Sequence, residues 1–235
     1  MSKVITLVKN SGLAPDEFRT YWRDEFLASL LALPEARENL VQVVHNHVLP
    51  SSPRGDNNPA LSDWAGAALS WYYDIESAHR FLQSPQVVRV IASHAEVIPE
   101  VVHLHVREIN GWDLTGGKPA ALKMISFFLP RPDSTRAEAQ LYWSTHHLRE
   151  TARLGLSQRL VKYVQNHTFP DHVNGNPMYN FAGGPEMWFE SQEDANEMFA
   201  DPALLAELKS DEVKITAPDG GMMFLVEEES VFSAR

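Results

Sequence analysis

Three observations in the sequence predict an α+β protein made of two tandem copies of one βαββαβ unit. First, the chain aligns with itself. Tyr21-Trp22 falls on Tyr142-Trp143, Leu40 to Pro50 (LVQVVHNHVLP) on Leu160 to Pro170 (LVKYVQNHTFP), and Trp71 to Pro85 on Trp188 to Pro202, at a spacing that drifts only slightly, as loop insertions would cause. Second, each copy alternates short β-branched or aromatic runs with helical periodicity in the order strand, helix, strand, strand, helix, strand. Third, the long strand of the first copy is apolar on both parities, Val41 and Val43 on one and Val44 and Val48 on the other, so it needs cover on both faces.

Each element has a local cause. Lys3 to Val8 and Leu122 to Leu129 open the copies as strands. In the first copy Pro15 suits the first helical position, where its missing N–H costs nothing; in the second, Thr135 and Glu138 have the spacing of a capping box. Phe18, Tyr21, Trp22 and Phe26 recur at three- and four-residue spacing and give one apolar helical face. Leu40 to Leu49 and Leu160 to Phe169 follow as strands, then a Pro/Gly/Asn-rich connection, then strands over Ala68 to Asp74 and Glu186 to Glu190. The second helices are predicted over Ile75 to Ala95, interrupted near Pro85, and over Glu193 to Ile215, with a break near Pro202. Val101 to Ile109 and Met222 to Glu228 close the units, and Gly183-Gly184 and Gly220-Gly221 read as turns. The order is ferredoxin-like. Four strands with helices on one face leave the other face bare, and a second copy can cover it within one chain. The expected architecture is therefore an intramolecular, pseudo-dimeric α+β barrel, with repeats at 1–111 and 121–235 and a Gly-containing linker between them.

Composition narrows function by exclusion. The chain of 235 residues carries 31 Asp and Glu against 20 Lys and Arg, a net charge of −11, and shows no basic stripe, which argues against nucleic acid. No apolar run reaches the roughly 18 residues of a membrane span, and Met1 to Lys9 leads straight into a strand, so a cytoplasmic protein without a membrane partner is expected. Cysteine is absent, which removes disulfides, thiolate metal sites and cysteine nucleophiles. No phosphate-binding glycine loop or nucleophile elbow occurs.

With the opening strand, the run Gly12 to Asp24 (GLAPDEFRTYWRD) and the Asn46-His47 and Asn166-His167 pairs on the second strands in view, the sequence resembles the EthD-type members of the dimeric α+β barrel superfamily, once per copy. The pattern on the first helix of that family is F-x-x-Y-W-x-x-x-H. Copy two meets its aromatic and histidine part with Tyr142, Trp143 and His147, whereas copy one has Phe26 where the histidine would stand. The resemblance implies dehydratase, isomerase or cofactor-free oxygenase chemistry on aromatic, polyketide or lactone substrates; a cofactor-free, dehydratase-like lyase or isomerase is the leading expectation and a cofactor-free monooxygenase the alternative.

On the residues themselves, His147 lies one helical turn after Trp143, on the face that must cover the sheet, where a near-neutral imidazole suits proton transfer. His146 points aside. Strand alternation puts Tyr163, Gln165 and His167 on one face, and Val43, His45 and His47 on its counterpart. His147 and His167 are the expected catalytic pair. Tyr142, Trp143, Tyr163 and Trp188 are expected to bind substrate, with Tyr21, Trp22, His45 and His47 as their counterparts in copy one; each aromatic is equally well explained as core. His45-x-His47 and His103-x-His105 are two HxH pairs that could hold a metal on adjacent strands, but copy two breaks both, with Gln165 and Met223 near the equivalent places. The expectation is no metal and no cofactor, a hydrophobic small-molecule substrate, and a chain that could further form a homodimer. A small-molecule binding protein without turnover is the rival reading.

Overall fold

A computed structural model describes residues 1–50, 64–118, 120–169 and 179–234. The Pro/Gly/Asn-rich connections expected after the second strands fall largely outside the described residues. The chain has a mixed α+β architecture and divides into two compact units. One is built on Met1–Val48, on the segment ending at Val106 and on the segment starting at Glu228; the other is built on Arg107–Glu227.

In the first unit, strand β1 (Ser2–Lys9) leads into helix α1 (Pro15–Tyr21), a π-helical segment Trp22–Leu27, α2 (Ala28–Leu31) and α3 (Pro34–Asn39). Strands β2 (Leu40–Val48) and β3 (Trp64–Tyr72), helices α4 (Ile75–Leu82) and α5 (Pro85–Ser93), and strand β4 (Val101–Asp113), of which residues 101–106 belong to this unit, follow. All pairings are antiparallel. β1 lies between β3 and β4, and β3 also pairs with β2, which gives the order β4-β1-β3-β2. One row across the sheet runs His45, Ala68, Thr6, His103. The helix starts are chemically capped. Glu17 accepts the Ala14 N–H at 3.2 Å, Asp74 accepts Ser77 N–H at 2.7 Å, and Ser84 accepts Gln86 N–H at 3.2 Å with Pro85 in the first turn. Phe18, Trp22 and Phe26 pack with Val4, Val8, Val43, Tyr72 and Phe81 to form the core of this unit.

The second unit repeats the order of elements. Strand β5 (Leu122–Pro130) is followed by α6 (Arg136–Tyr142), a π-helical segment Trp143–His147, α7 (Leu148–Arg153) and a 3₁₀ turn Leu156–Gln158. Then come β6 (Lys162–Thr168), β7 (Gly183–Phe189), α8 (Gln192–Ala200), α9 (Pro202–Glu212) and β8 (Thr216–Ser233), of which residues 216–227 belong to this unit. β5 lies between β7 and β8, and β7 pairs with β6, so the order is β8-β5-β7-β6. The capping box at α6 forms as expected: Thr135 Oγ1 accepts Glu138 N–H at 3.2 Å, and Glu138 accepts Thr135 N–H at 2.8 Å.

Two expectations are corrected. Gly183-Gly184 and Gly220-Gly221 are not turns; they lie inside β7 and β8. Glycine is required at 183 because a Cβ there would overlap the Trp143 indole and stand 2.7 Å from the Asn166 carbonyl oxygen; Gly66 bears the same relation to Trp22. The helix carrying Trp143 and His147 is not uniformly α-helical: the Leu148 N–H bonds the Trp143 carbonyl five residues back, a widened turn.

Candidate active site

The π-helical segment delivers His147 to the wall of a cavity of ≈ 770 Å³ in the second unit. His147 is 8% exposed, and its Nδ1 lies 2.8 Å from Asp211 Oδ2, at the end of α9. The other oxygen of Asp211 accepts the Tyr142 hydroxyl at 2.6 Å and the Lys214 ammonium at 3.0 Å. Burial works to raise the Asp211 pKa, but the hydrogen bonds from Tyr142, Lys214 and His147 outweigh it and hold the carboxyl below the ordinary value. The same contacts raise Lys214, and burial followed by the bond to Asp211 raises Tyr142. Asp211 is therefore an ionised acceptor at neutral pH. An ionised carboxylate has no proton to give, so Nδ1 of His147 must carry the hydrogen, and in the neutral ring Nε2 is left as the basic nitrogen. Nε2 makes no hydrogen bond to the described residues.

The cavity has a mixed lining of apolar and charged side chains. Trp143, Phe127, Phe128, Pro185, Ile215, Met222 and Met223 line it together with His147; Arg131, Asp133, Lys209, Glu212 and Asp219 add charge. One wall comes from an irregularity in β8. Phe128 pairs with Gly221, but Pro130 pairs with Thr216, so several residues of β8 bulge opposite one of β5. Asp219 sits on that bulge with φ 53°, in the left-handed region. The corresponding β1–β4 ladder of the first unit runs without a break from Lys3–Val106 to Val8–Val101.

Behind Trp143 lies a polar network. Its indole donates to the Tyr163 hydroxyl at 3.1 Å, and Gln165 donates to the Trp143 carbonyl at 3.0 Å. His167 Nε2 lies 3.1 Å from Gln165 Oε1, and its ring stacks on the indole at 4.8 Å and 12°. Burial, then the positive charge of Arg107, lowers the His167 pKa to about 4, and burial raises Tyr163 to about 12. Both are neutral at pH 7.

The structure thus brings His147 and Trp143 to one cavity, with Tyr142 one contact removed through Asp211. His167 and Tyr163 stand behind the Trp143 wall rather than on the cavity surface, because strand alternation turns them toward the indole. Trp188 lies away from the cavity, with the ammonium groups of Lys123 and Lys162 at 4.5 and 5.0 Å from its ring. Tyr21, Trp22, His45 and His47 belong to the first unit, where the equivalent dyad is missing. Phe26 replaces His147, His94 stands at the position of Asp211, and the Tyr21 oxygen meets His94 Nδ1 at 2.6 Å. His47 Nε2 lies 2.9 Å from Glu229, which also accepts Arg23 at 3.0 Å. The two HxH pairs do not converge, since β1 and β3 separate β2 from β4. His103 bonds Thr6 at 2.9 Å, and His105 packs on His79 at 4.8 Å. Among the described residues no three His, Cys, Asp or Glu side chains are grouped to hold a metal ion. Likewise, no helix among them is long and apolar enough to cross a membrane.

Asp211, which holds the His147 ring, is the residue of this candidate site that sequence reasoning missed, and no local pattern marks it.

Comparison with known proteins gives one family match, in the second half of the chain. Residues 131–219 match the EthD domain. No match is found among curated proteins. Among solved structures, the chain is similar to an anthrone oxidase-like protein, at 12% identity and a TM-score of 0.60, over 100% of this chain and 96% of the other. It is also similar to a candidate monooxygenase from Fusobacterium nucleatum subsp. nucleatum, at 4% identity and a TM-score of 0.57, over 99% and 96%. At such identities the likeness is one of fold. The segment that matches the EthD domain contains the π-helical turn, His147 and Asp211.

Proposed function

We propose that the protein is an enzyme that moves a proton on a hydrophobic small molecule, with His147 as general base and acid. The reading rests on one observation: a buried imidazole, fixed by Asp211 through Nδ1, lines a large cavity with many apolar side chains and keeps Nε2 as its basic nitrogen. The Asp211 charge stabilises the imidazolium once the proton is taken, and Tyr142 and Lys214 keep that carboxylate ionised and in place. A cavity of ≈ 770 Å³ walled by Trp143, Phe128 and methionines suits an aromatic, polyketide or lactone-type substrate. The reaction class we favour is a dehydratase-like lyase or an isomerase that needs only protein groups. Trp143 contacts the substrate, and Tyr163 and His167 hold that indole. We further read the two ferredoxin-like copies as bounded at 1–111 and 121–235, with the working site in the second.

A second reading is favoured by the names of the structural neighbours, an anthrone oxidase-like protein and a candidate monooxygenase. After the same proton abstraction, the substrate carbanion reduces dioxygen, so that a methylene and O₂ give a carbonyl and water, with all electrons coming from the substrate. Turnover under strict anaerobiosis supports the lyase or isomerase; turnover that stops without O₂ supports the oxygenase. His147→Ala separates both from a binding protein without chemistry. Ligand binding retained with turnover lost is the expected result, and unchanged turnover would remove His147 from the mechanism.

A further inference from the structure

The first unit contains its own, much smaller cavity, of ≈ 50 Å³, on the helix-covered face of its sheet. Its origin follows from comparing equivalent positions. In the second unit the Trp143 indole, the Tyr163 hydroxyl and Gln165 form a hydrogen-bonded network. The repeat puts Trp22, Val43 and His45 at these three positions, and all three line the cavity. Val43 has no hydroxyl to offer. The Trp22 Nε1–H therefore makes no hydrogen bond to the described residues, and His45 Nδ1 is buried without a hydrogen-bond partner there. His45 is 1% exposed and stacks on the Trp22 ring at 3.8 Å and 9°, so neither ring can turn away to find a partner.

We infer that this cavity is a second binding site, for an uncharged hydroxyl-bearing molecule of about three to five non-hydrogen atoms, such as 2-propanol, whose hydroxyl takes the part that Tyr163 plays in the second unit. The hydroxyl accepts from Trp22 Nε1–H and donates to His45 Nδ1, giving the buried, unpartnered Nδ1 the hydrogen bond it lacks. The size limit comes from the volume, at about 10–15 Å³ of such space per water-sized group. Charge is excluded by the lining, which contains no Asp, Glu, Lys or Arg among the described residues. Burial, helped by the charges of His47 and Arg23, also keeps His45 neutral down to about pH 3, and burial keeps His103 neutral to about pH 4. A water cluster is poorly matched. His103 is already bonded to Thr6 and Tyr72 to Ser70, so only one hydroxyl's worth of partners is open, while the remaining wall is aliphatic and aromatic.

The test is a titration of the full chain with 2-propanol, followed by the Trp22 indole N–H and His45 imidazole ¹⁵N resonances, with xenon as an apolar probe of the same space. Both resonances are expected to shift saturably with 2-propanol. Val43→Tyr, which supplies its own hydroxyl, is expected to weaken half-saturation at least tenfold. If Val43→Tyr does not fold, His45→Phe serves instead and is expected to lose the saturable response. A linear drift, a saturable response retained in either variant, or xenon moving the resonances where 2-propanol does not would overturn the site. So would a resident water only, seen as exchange-resolved water contacts to His45 that 2-propanol does not displace. The outcome is independent of His147.

Discussion

Gly183→Ala tests how the cavity wall is held. A Cβ at 183 would overlap the edge of the Trp143 six-membered ring, reach 3.1 Å from its Cη2 and stand 2.7 Å from the Asn166 carbonyl oxygen. The carbonyl belongs to β6, paired to this strand, so it cannot retreat without breaking the ladder. The indole must move instead, yet His167 stacks on it and Tyr163 accepts its N–H. Overpacking of this kind costs about 1–3 kcal/mol, and a lost buried hydrogen bond adds about 1 kcal/mol. The expected destabilisation is thus about 2–4 kcal/mol, or roughly 5–15 °C in Tm for a chain of this size. Gly221→Ala is the control: its Cβ would find nothing nearer than the Phe127 carbonyl at 3.9 Å, so it should stay within about 0.5 kcal/mol of the parent. Denaturant unfolding with tryptophan fluorescence reads both. A Gly183→Ala protein as stable as the parent, or a Gly221→Ala protein equally damaged, would refute the claim that close packing against Trp143 demands glycine.

Asp211→Asn should reduce turnover by about 10²–10⁴, because an amide can donate to Nδ1 and move the imidazole proton to Nε2; ¹⁵N NMR of His147 reports the tautomer directly. The depressed Asp211 pKa also stabilises the parent fully above the ordinary carboxylate range near pH ~4, and this is lost as pH falls through the lower folded value; Asp211→Asn should show a shallower acid limb. His167 titrates at about 4 when folded against about 6.5 when unfolded, so between those values the unfolded chain holds the extra proton and stability decreases as the pH is lowered. His167→Gln should flatten that part of the stability curve, and an unchanged slope would mean His167 is not held neutral. Lys123 and Glu186 form a fully buried pair at 2.5 Å, with Asn166 donating to Glu186 at 2.8 Å. Lys123→Met alone should cost about 3–5 kcal/mol, while Lys123→Met with Glu186→Leu should recover most of it, measured by chemical denaturation.

Much of this was legible in the linear sequence, because its cause is local. Hydrophobic periodicity gave the mixed α+β class, and the Thr135–Glu138 spacing located a helix start that the structure confirms atom by atom. Strand alternation placed Tyr163, Gln165 and His167 side by side, as found. The Trp143–His147 spacing brought both side chains to one wall even though the intervening turn is π-helical, because one widened turn still leaves them on neighbouring rows.

Tertiary structure alone decided the rest. Asp211 is one of 31 acidic residues, and nothing nearby in the sequence marks it; it becomes the partner of His147 only when the end of α9 packs beside the π-helical turn, 64 positions away. Gly183 reads as a turn residue because glycine is permissive everywhere, and only the indole lying against it shows that absence of a side chain is its purpose. Trp188 and His167 carried the right chemistry but sit off the cavity, since where a side chain ends up depends on which strand pairs with which. Sequence fixes what each segment can do by itself; which groups meet across the fold is set by strand order and packing, which no local pattern encodes.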